Sequence, residues 1–495
     1  MKDFIKIDNS DNVVVALNNF KKGTILQPVG IELKDDIPFG HKIAITDIPK
    51  GGYVIKYGHR IGKVERPVSI GELVNETNLK TAIPQTGAYE YSPLPGLHAN
   101  AESSPQICFN GYLRKNGDAG VRNELWIVPL VSCVNCVASE LAKRFGNSEY
   151  AAGLDGVFSL THPYGCSQLG CDHENTRKIL AGLCKNPNAG GVLVLGLGCE
   201  NNKMDKFKEL VDTCDASRIR FLEAQSHSDE LASGFEILKE LAANMRSDKR
   251  RALPLSKLRV GLKCGGSDAF SGISANVLIG RFADMAIRRG ASCALCEVPE
   301  MFGAETLLME RAISREVFDK IVDMINSFKS YFVNSGMPVY ENPSPGNKAG
   351  GISTLEEKSL GCVQKGGKSP VMDVIRYAER IKSSGLTLLE SPGNDPVATA
   401  ALAAAGCQII LFSTGRGTPF ASAVPTVKIS SNTPLFEKKQ SWIDFDAGPI
   451  AGGKNIDDIS EEFFKFVIDV ANGKKTKAEL NGYREIAIFK NGVTL

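Results

Sequence analysis

The stretch THPYGCSQLGCDHENTR, residues 161–177, concentrates side chains that can bind a metal ion or take part in acid–base chemistry. Imidazole, thiolate and carboxylate groups together suit ferrous iron better than magnesium. The stretch follows the apolar run GVFSL, which predicts a β-strand, so these groups come directly after a strand end. The side chains concerned are His162, Cys166, Cys171, Asp172, His173 and Glu174.

Other cysteines occur in the same setting, beside polar residues at the end of a predicted strand. Cys133 follows ELWIVPLVS, Cys199 lies in GLGCENN, and Cys264 lies in GLKCGGSD. Ligands of open parallel sheets bind at the carboxyl ends of the strands, so these loops are predicted to converge on one small ligand or ion. An iron–sulfur cluster, which needs three or four convergent thiolates, stays open beside a mononuclear metal site.

The elements that position these groups follow a repeated pattern of strand, turn and helix from residue 111 onward. Repeats of this kind predict parallel sheets with helices on both faces. The residues before the repeats instead form short alternating segments separated by Gly and Pro turns, which is typical of strands. The sequence therefore predicts an α/β fold, in which a small N-terminal β-rich domain precedes α/β domains with mostly parallel sheets.

The chain is too long for one domain, because 495 residues exceed the roughly 250 at which single cores stop growing. We predict a β-rich domain at 1–85, a linker rich in Pro, Gly and Ser at 86–110, an α/β domain at 111–250 and a C-terminal α/β domain at 251–495. A stretch rich in Gly, Lys and Ser at 341–370 predicts a functional lid, since long loops are uncommon inside compact domains.

The charge balance limits the possible partners. Lys and Arg number 58 and Asp and Glu 56, so nothing favours nucleic acid, and a small polar or anionic substrate fits better. No apolar run approaches the ~18 residues of a membrane span, and no export signal precedes the first strand. The 13 cysteines are therefore expected to be reduced thiols, and the protein is expected to be cytoplasmic and not to bind a membrane.

His41 and Lys42 stand out in the N-terminal domain, within FGHKIAITDIPKGGYVIKYG. A histidine followed by a lysine is commonly a surface pair. Here Gly40 permits an unusual backbone, and the pair enters a strand instead of occupying a loop tip. Both side chains can act as a general base when their pKa lies near neutrality, so a functional role is the competing interpretation.

Several long segments, in the same order, resemble the sugar-acid dehydratase family that includes altronate and galactarate dehydratases. The resemblance covers nearly the whole chain and implies a β-clip-like N-terminal domain followed by α/β domains. It also implies a hydro-lyase of hexuronate catabolism that converts D-altronate to 2-dehydro-3-deoxy-D-gluconate with Fe²⁺ or Mn²⁺. The segments include GHKIAITDIPKGGYVIKYG, RKNGDAGVRNELWIVP, THPYGCSQLG, LVLGLGCENN, GLKCGGSDAFSGI, EVPEMFGAE, YENPSPGNKAGGISTLEEKSLGC and LFSTGRGTPF.

This chemistry assigns candidate roles to residues of the chain. Removing the weakly acidic C2 proton and the C3 hydroxyl requires a base, a proton donor and a Lewis acid. The candidate catalytic residues are His41, Lys42 and His162, and the candidate metal ligands are His41, His162, Cys166, Cys199 and Glu200. The candidate anchors of the substrate carboxylate and hydroxyls are Lys348, Lys365 and Arg416.

Alternatives remain at this point. The substrate could be galactarate or another sugar acid, and the chain could form a homo-oligomer. A second class is an iron–sulfur hydro-lyase that uses Cys133, Cys166, Cys199 and Cys264. A third is a sugar-acid sensor without catalysis, although no basic stripe or helix-turn-helix pattern supports it.

Overall fold

The computed structural model describes residues 3–96 and 107–493. Short antiparallel strands make up the N-terminal module and form a four-stranded sheet in the order β1-β2-β5-β8, a three-stranded sheet β6-β7-β9 and the pair β3-β4. The strands are β1 Phe4–Ile5, β2 Val13–Ala16, β3 Ile25–Leu26, β4 Ile31–Glu32, β5 Lys42–Ala44, β6 Tyr53–Lys56, β7 His59–Val64, β8 Leu73–Val74 and β9 Leu79–Lys80.

The second region is a parallel sheet in the order β13-β12-β14-β15, with helices against it. Strand β12 is buried along its whole length because it lies between two parallel neighbours and is covered on both faces. The elements are β12 Glu124–Pro129, α1 Asn135–Gly146, β13 Gly156–Ser159, α2 Gly170–Cys184, β14 Ala189–Gly196, α3 Met204–Leu210, β15 Ile219–Glu223 and α4 Glu230–Met245.

A small antiparallel sheet connects this region to the rest of the chain. It contains Cys108–Leu113 (β10), Ala119–Gly120 (β11) and Arg251–Pro254 (β16), in the order β11-β10-β16. Strand β10 begins inside the predicted linker 86–110, of which residues 97–106 lie outside the described residues.

The C-terminal region is built on a seven-stranded parallel sheet in the order β19-β20-β18-β17-β21-β22-β23. Its strands are β17 Arg259–Cys264, β18 Ser292–Leu295, β19 Val371–Ile375, β20 Gly385–Leu389, β21 Ile409–Thr414, β22 Thr426–Ser430 and β23 Phe445–Asp446. Its helices are α5 Ala275–Arg288, α6 Glu305–Met309, α7 Arg315–Asn334, α8 Pro345–Ala349, α9 Leu355–Cys362, α10 Asp395–Ala404, α11 Thr433–Lys438, α12 Gly448–Ala451, α13 Ile456–Ala471 and α14 Lys477–Leu480.

The two parallel sheets present the carboxyl ends of their strands to the same side of the molecule. Their amino ends meet where Asn188 Nδ2, just before β14, donates to the carbonyl of Gln408, just before β21, at 2.9 Å. At the other end, the segment Phe489–Gly492 bridges the sheets. It donates from Phe489 N to the Tyr377 phenolic oxygen beyond β19, at 2.9 Å, and from Asn491 N to Asp172 Oδ1 in α2, at 3.0 Å.

The predicted fold class is confirmed, with a strand-rich N-terminal module before two parallel sheets. The predicted lid at 341–370 is wrong, because helix α9 in this stretch is buried at every position. Its charged side chains Glu356, Glu357 and Lys358 are paired with partners inside the protein, so the polar sequence does not indicate an exposed loop. None of the described helices is both long and apolar enough to cross a membrane.

Candidate functional site

Exposed cysteines gather at the carboxyl end of the second region's sheet, which we call the thiol edge. Free cysteine is among the residues most often buried, so exposed thiols at one edge are unusual. The loops after β12, β13 and β14 and the first turns of α1 and α2 carry Cys133, Cys136, Cys166, Cys171 and Cys199, all of them exposed.

The three loops of the thiol edge interlock through their backbones. Ser132 N donates to the Tyr164 carbonyl at 2.8 Å, and Asn202 N donates to the Gly165 carbonyl at 3.1 Å. Gly165 has φ +105°, and a Cβ there would lie 2.1 Å from the carbonyl oxygen of Leu130, so only glycine fits. The loops that carry Cys133, Cys166 and Cys199 are therefore held against one another.

His162 and Glu200 lie at this edge, but their side chains are already hydrogen-bonded to backbone groups of nearby loops. His162 Nδ1 accepts from Tyr164 N at 3.2 Å, which leaves the proton on Nε2 to bond the Pro129 carbonyl at 2.8 Å. Burial lowers the pKa of His162 from 6.5 to about 4. The Glu200 carboxylate accepts from Leu197 N at 3.1 Å and Gly198 N at 2.6 Å.

The structure does not gather three ligand atoms of the predicted set within 4.8 Å of one another in the part of the chain that it describes. Within residues 3–96 and 107–493, the one group of three or more His, Cys, Asp or Glu ligand atoms within 4.8 Å of one another is Cys264, Glu300 and Cys362, none of which belongs to that set. Both ring nitrogens of His162 are engaged, and His41 lies on the N-terminal module. We therefore assign no reaction step to an ion held by these five residues.

The N-terminal module meets the C-terminal region through one shared carboxylate. Lys42 Nζ lies 2.8 Å from Glu357 Oε2 and Lys56 Nζ lies 2.7 Å from Glu357 Oε1, with all three side chains at most 1% exposed. We call Lys42, Lys56 and Glu357 the Glu357 triad. Burial opposes the charge of Glu357, but the two lysines outweigh it and lower its pKa from 4.5 to about 2.

Lys42 is a structural cation in this arrangement. Its ammonium also donates to the Gly351 carbonyl at 2.9 Å and to Ser353 Oγ at 2.8 Å, so its hydrogen-bonding capacity is used. Burial lowers the pKa of Lys42, whereas for Lys56 the attraction of Glu357 outweighs burial and raises the pKa. The contacts of Lys42 favour a role in holding the module in place over the predicted role as base.

His41 is bonded through one ring nitrogen in the part of the chain that the structure describes, whereas both ring nitrogens of His162 are bonded. Its Nδ1 lies 3.3 Å from the Phe39 carbonyl, and burial lowers its pKa, which favours the neutral imidazole. Gly40 has φ +81°, and a Cβ there would lie 3.3 Å from Phe270 Cε2 and 3.4 Å from the Gly350 carbonyl oxygen. This close approach holds His41 against the C-terminal region.

The segments that carry three predicted residues contact the loop 265–270, which follows β17. Arg416 N donates to the Gly266 carbonyl at 3.0 Å, and Asn347, next to Lys348, donates from Nδ2 to the Ser267 carbonyl at 2.8 Å. Ala269 N donates to the carbonyl of Gly350, the residue that Gly40 approaches. The structure therefore brings the segments of His41, Lys348 and Arg416 to one loop at the carboxyl end of the C-terminal sheet.

Lys365, the third predicted anchor, is buried in a different setting. Its Nζ lies 2.8 Å from Cys264 Sγ and 2.9 Å from Glu297 Oε2. Nearby, Lys358 Nζ pairs with Glu300 Oε1 at 2.8 Å. These residues belong to a set of buried charges and thiols at the ends of β17, β18 and α9, which we call the buried cluster: Lys263, Cys264, Glu297, Glu300, Lys358, Cys362 and Lys365.

The thiols of the buried cluster pack against its carboxylates. Cys264 Sγ lies 3.2 Å and Cys362 Sγ 3.0 Å from Glu300 Oε2, and the two sulfurs are 3.4 Å apart. For Glu300, burial opposes the charge but Lys358 outweighs it and lowers the pKa. Since Cys264 belongs here, the four cysteines of the predicted iron–sulfur alternative divide into three at the thiol edge and one in the buried cluster.

A small cavity connects these features of the C-terminal region. Its lining includes Tyr57 from the N-terminal module, Ser267 and Asp268 from loop 265–270, and Lys358 and Cys362 from the buried cluster. At roughly 10 Å³ the cavity has room for about one water molecule, so it marks where these groups meet rather than a ligand site.

Sequence reasoning missed most of the buried cluster. Glu297 and Glu300 follow strand β18, in LCEVPE, so the strand-end criterion used for the cysteines would have found them. Glu357 and Lys358 gave no such signal, because they lie on a short buried helix and their partners are distant in the chain.

Family descriptions match nearly the whole chain. "Altronate/galactarate dehydratase SAF domain" matches residues 2–82, "D-galactarate dehydratase/Altronate hydrolase, second domain" matches 111–246, and "D-galactarate/Altronate dehydratase, C-terminal" matches 255–494. The predicted domain boundaries stay predictions.

Curated relatives resemble the chain along its length. It is 54% identical to the altronate dehydratase of Bacillus subtilis (strain 168), covering 100% of both chains. It is 51% identical to the altronate dehydratase of Escherichia coli (strain K12), covering 99% of this chain and 100% of the relative. It is 33% identical to the galactarate dehydratase (L-threo-forming) of the same E. coli strain, covering 98% and 96%. The chain belongs to the D-galactarate/altronate dehydratase family.

Proposed function

We propose that the protein is a hydro-lyase that converts D-altronate to 2-dehydro-3-deoxy-D-gluconate in hexuronate catabolism. The observation that carries the proposal is the 54% identity to an altronate dehydratase over the whole of both chains. Identity to the galactarate dehydratase is 33%, which favours altronate over galactarate.

The substrate is a carboxylate with several hydroxyls, and loop 265–270 offers matching groups. Arg416 is exposed beside this loop, and an arginine can hold a carboxylate with two parallel hydrogen bonds. Lys348 is half-buried on α8 next to Asn347, which bonds the same loop. We propose that these two cations orient the sugar acid at the carboxyl end of the C-terminal sheet.

His41 is our candidate for the base that takes the C2 proton. A base must be unprotonated at the working pH, and burial favours neutral imidazole at this position. His41→Ala is expected to lower kcat by about 10²–10⁴, the usual contribution of a general base, with a smaller change in KM. His59→Ala, which removes an exposed histidine of the same module, is the control and should keep wild-type rates. A His41→Ala rate within about threefold of wild type would remove His41 from this role.

The proposal includes a requirement for Fe²⁺, which Mn²⁺ could replace. A divalent cation that binds the carboxylate and a hydroxyl would stabilise the negative charge formed when C2 loses its proton. Chelator-treated protein should lose altronate dehydration and regain it with Fe²⁺ under reducing conditions. Full activity in protein from which metal has been removed would contradict this requirement.

The deciding experiment is a screen of hexonates and hexarates for 2-keto acid release by the purified protein with ferrous iron present. Altronate is expected to give the highest kcat/KM. Faster turnover of galactarate would replace the proposed substrate, and tight binding of altronate without any keto acid would favour the sensor alternative.

A further inference from the structure

We propose that Cys264 and Cys362 form a disulfide bond when the protein meets hydrogen peroxide, so that the buried cluster contains a redox-sensitive cross-link. The observation that carries the proposal is the contact of the two sulfurs, which lie 3.4 Å apart. A disulfide bond is about 2.05 Å long, so the sulfurs must approach by about 1.4 Å to form it. Cys264 ends β17 and Cys362 ends α9, so the bond would join two elements of the C-terminal region that are distant in the chain.

The polar surroundings of this pair distinguish it from a buried thiol of the core such as Cys293. Cys293 is fully buried, and burial raises the pKa of its thiol. Such a thiol is inert and acts as a small apolar side chain. Cys264 and Cys362 instead contact one carboxylate, because Glu300 Oε2 lies 3.2 Å from the first sulfur and 3.0 Å from the second. An acceptor for a thiol proton is therefore within reach of both sulfurs.

Cys264, Glu300 and Cys362 also have the spacing of a metal site, but the charges around them oppose a cation. Lys365 Nζ lies 2.8 Å from Cys264 Sγ, and Lys358 Nζ lies 2.8 Å from Glu300 Oε1. Although burial opposes their charge, the attraction of nearby groups raises the pKa of both lysines. A metal ion among these ligand atoms would be repelled by two ammonium groups, so the arrangement favours thiol chemistry over metal binding.

Cys362 is the thiol that a small oxidant meets first. It is 4% exposed and lines the small cavity, whereas Cys264 is 1% exposed. Contact with Cys264 and burial raise the pKa of the Cys362 thiol, so a base must take its proton before the sulfur can react. Glu300 Oε2 is in position to do so. The sulfur then attacks one peroxide oxygen and the O–O bond breaks, which leaves a sulfenic acid on Cys362, and the departing hydroxide takes the proton from Glu300 and becomes water.

Cys264 completes the bond in a second step. Lys365 Nζ stabilises the negative charge of the Cys264 sulfur as it attacks the sulfenic sulfur of Cys362. The S–O bond breaks, and the hydroxide that leaves takes up the proton of Cys264 and becomes a second water. In the two steps together, the thiols lose two electrons and two protons, and one peroxide is reduced to two waters.

The charges of the buried cluster stay paired after oxidation. Lys365 keeps Glu297 Oε2 at 2.9 Å, and Glu300 keeps Lys358 at 2.8 Å. The fold therefore loses sulfur contacts but gains a covalent bond, which restricts the unfolded chain. Because α9 also carries Glu357, the cross-link would fix the helix that holds the N-terminal module.

The test is peptide mapping of the full chain after treatment with hydrogen peroxide. Remaining thiols are alkylated after unfolding in urea, and the peptides are separated without a reductant. The Cys264 peptide should be joined to the Cys362 peptide, with the loss of about two hydrogen masses, and dithiothreitol should separate them. Cys293 should remain a free thiol. The urea midpoint of oxidised wild type should lie above that of reduced wild type, and Cys362→Ser should lose both the cross-link and this increase.

Glu300→Gln tests the role of the carboxylate as base. It replaces the proton acceptor by an amide of similar size, so the cross-link should form at least about tenfold more slowly. Glu356→Gln, which changes another buried carboxylate close to this cluster in the chain, is the matched control and should keep the wild-type rate. Circular dichroism checks that the variants fold. An unchanged rate in Glu300→Gln would remove Glu300 from this role.

Other outcomes would overturn the cross-link itself. Free thiols at Cys264 and Cys362, in folded protein whose exposed Cys171 is already oxidised, would show that the pair does not react. A sulfinic acid on Cys362 without a cross-link would show that Cys264 does not reach it. A Cys264 peptide joined through oxygen to a Lys365 peptide would assign the cross-link to the lysine instead. Neither oxidation step involves a sugar acid, so the cross-link and altronate dehydration succeed or fail separately.

Discussion

The buried cluster and the thiol edge both lie at the carboxyl ends of parallel strands, yet they satisfy their polar atoms in opposite ways. In the buried cluster, Lys365 bonds Cys264 and Glu297, and Lys358 bonds Glu300, so the ammonium groups have partners within the chain. At the thiol edge the sulfurs are exposed, and neighbouring amide atoms such as Gln168 Nε2 are buried and have no hydrogen-bond partner among residues 3–96 and 107–493.

This difference separates charges that are paired within the fold from polar atoms that have no partner among the described residues. Charges removed from water must be paired within the protein, so the buried cluster and the Glu357 triad are complete as they are. Buried polar atoms without partners are rare in native structures, and an ordered water or a ligand can supply the partner. Polar side chains at a strand end are therefore not sufficient evidence for a ligand site. It also matters whether their polar atoms are already paired within the protein.

The largest effect is expected from Glu357→Ala, which leaves Lys42 and Lys56 buried without their shared counter-charge. Removing one partner of a buried ion pair costs about 3–5 kcal/mol, so the free energy of unfolding should fall by that amount in urea titrations. Glu140→Ala, which breaks an exposed pair with Arg144, is the control and should cause no measurable change. If Glu357→Ala changed the free energy of unfolding as little as Glu140→Ala, Glu357 would not be the buried counter-charge of the two lysines.

Lowering the pH should weaken the same triad, with a slightly smaller loss in the free energy of unfolding. The folded pKa of Glu357 lies at about 2, below its ordinary value of 4.5, so its contribution is present above pH 4.5 and is lost as the pH falls towards 2. A shift of this size corresponds to about 3 kcal/mol of stability. Urea unfolding at a series of pH values should show this loss in wild type and a flatter profile in Glu357→Gln. Equal slopes would assign the acid sensitivity to other carboxylates.

Local pattern was enough to predict the architecture of the fold. Short apolar segments between turns, such as NVVVAL and YVIKYG, predicted the strand-rich module, and apolar runs such as GGVLVLG followed by amphipathic stretches predicted the parallel sheets. The lid at 341–370 was wrong because α9 is polar in sequence but buried in the structure. Its Glu357 is compensated by lysines of another module, which no local pattern indicates.

The same limit applies to the candidate site. The sequence singled out Cys166 and Cys199 by their place after strands, and the structure brings their loops together. It could not predict that backbone groups would occupy both nitrogens of His162, or that Lys365 would pair with Cys264 across 101 residues. Those outcomes depend on hydrogen-bond geometry between distant segments.

The smallest expected effect is the difference in the free energy of unfolding between removing a buried thiol and removing an exposed one, measured in protein kept free of metal. Cys264→Ala removes a sulfur that contacts Lys365 and Glu300, and the loss of partners inside the protein should cost about 1–3 kcal/mol. Cys199→Ala removes an exposed sulfur and should change the free energy of unfolding by no more than about 0.5 kcal/mol. Urea midpoints of both variants with a chelator present make the comparison, because any bound cofactor would stabilise the thiol edge by mass action. Equal losses in the two variants would show that Cys199 supports the fold, and the contrast between the buried cluster and the thiol edge would then fail.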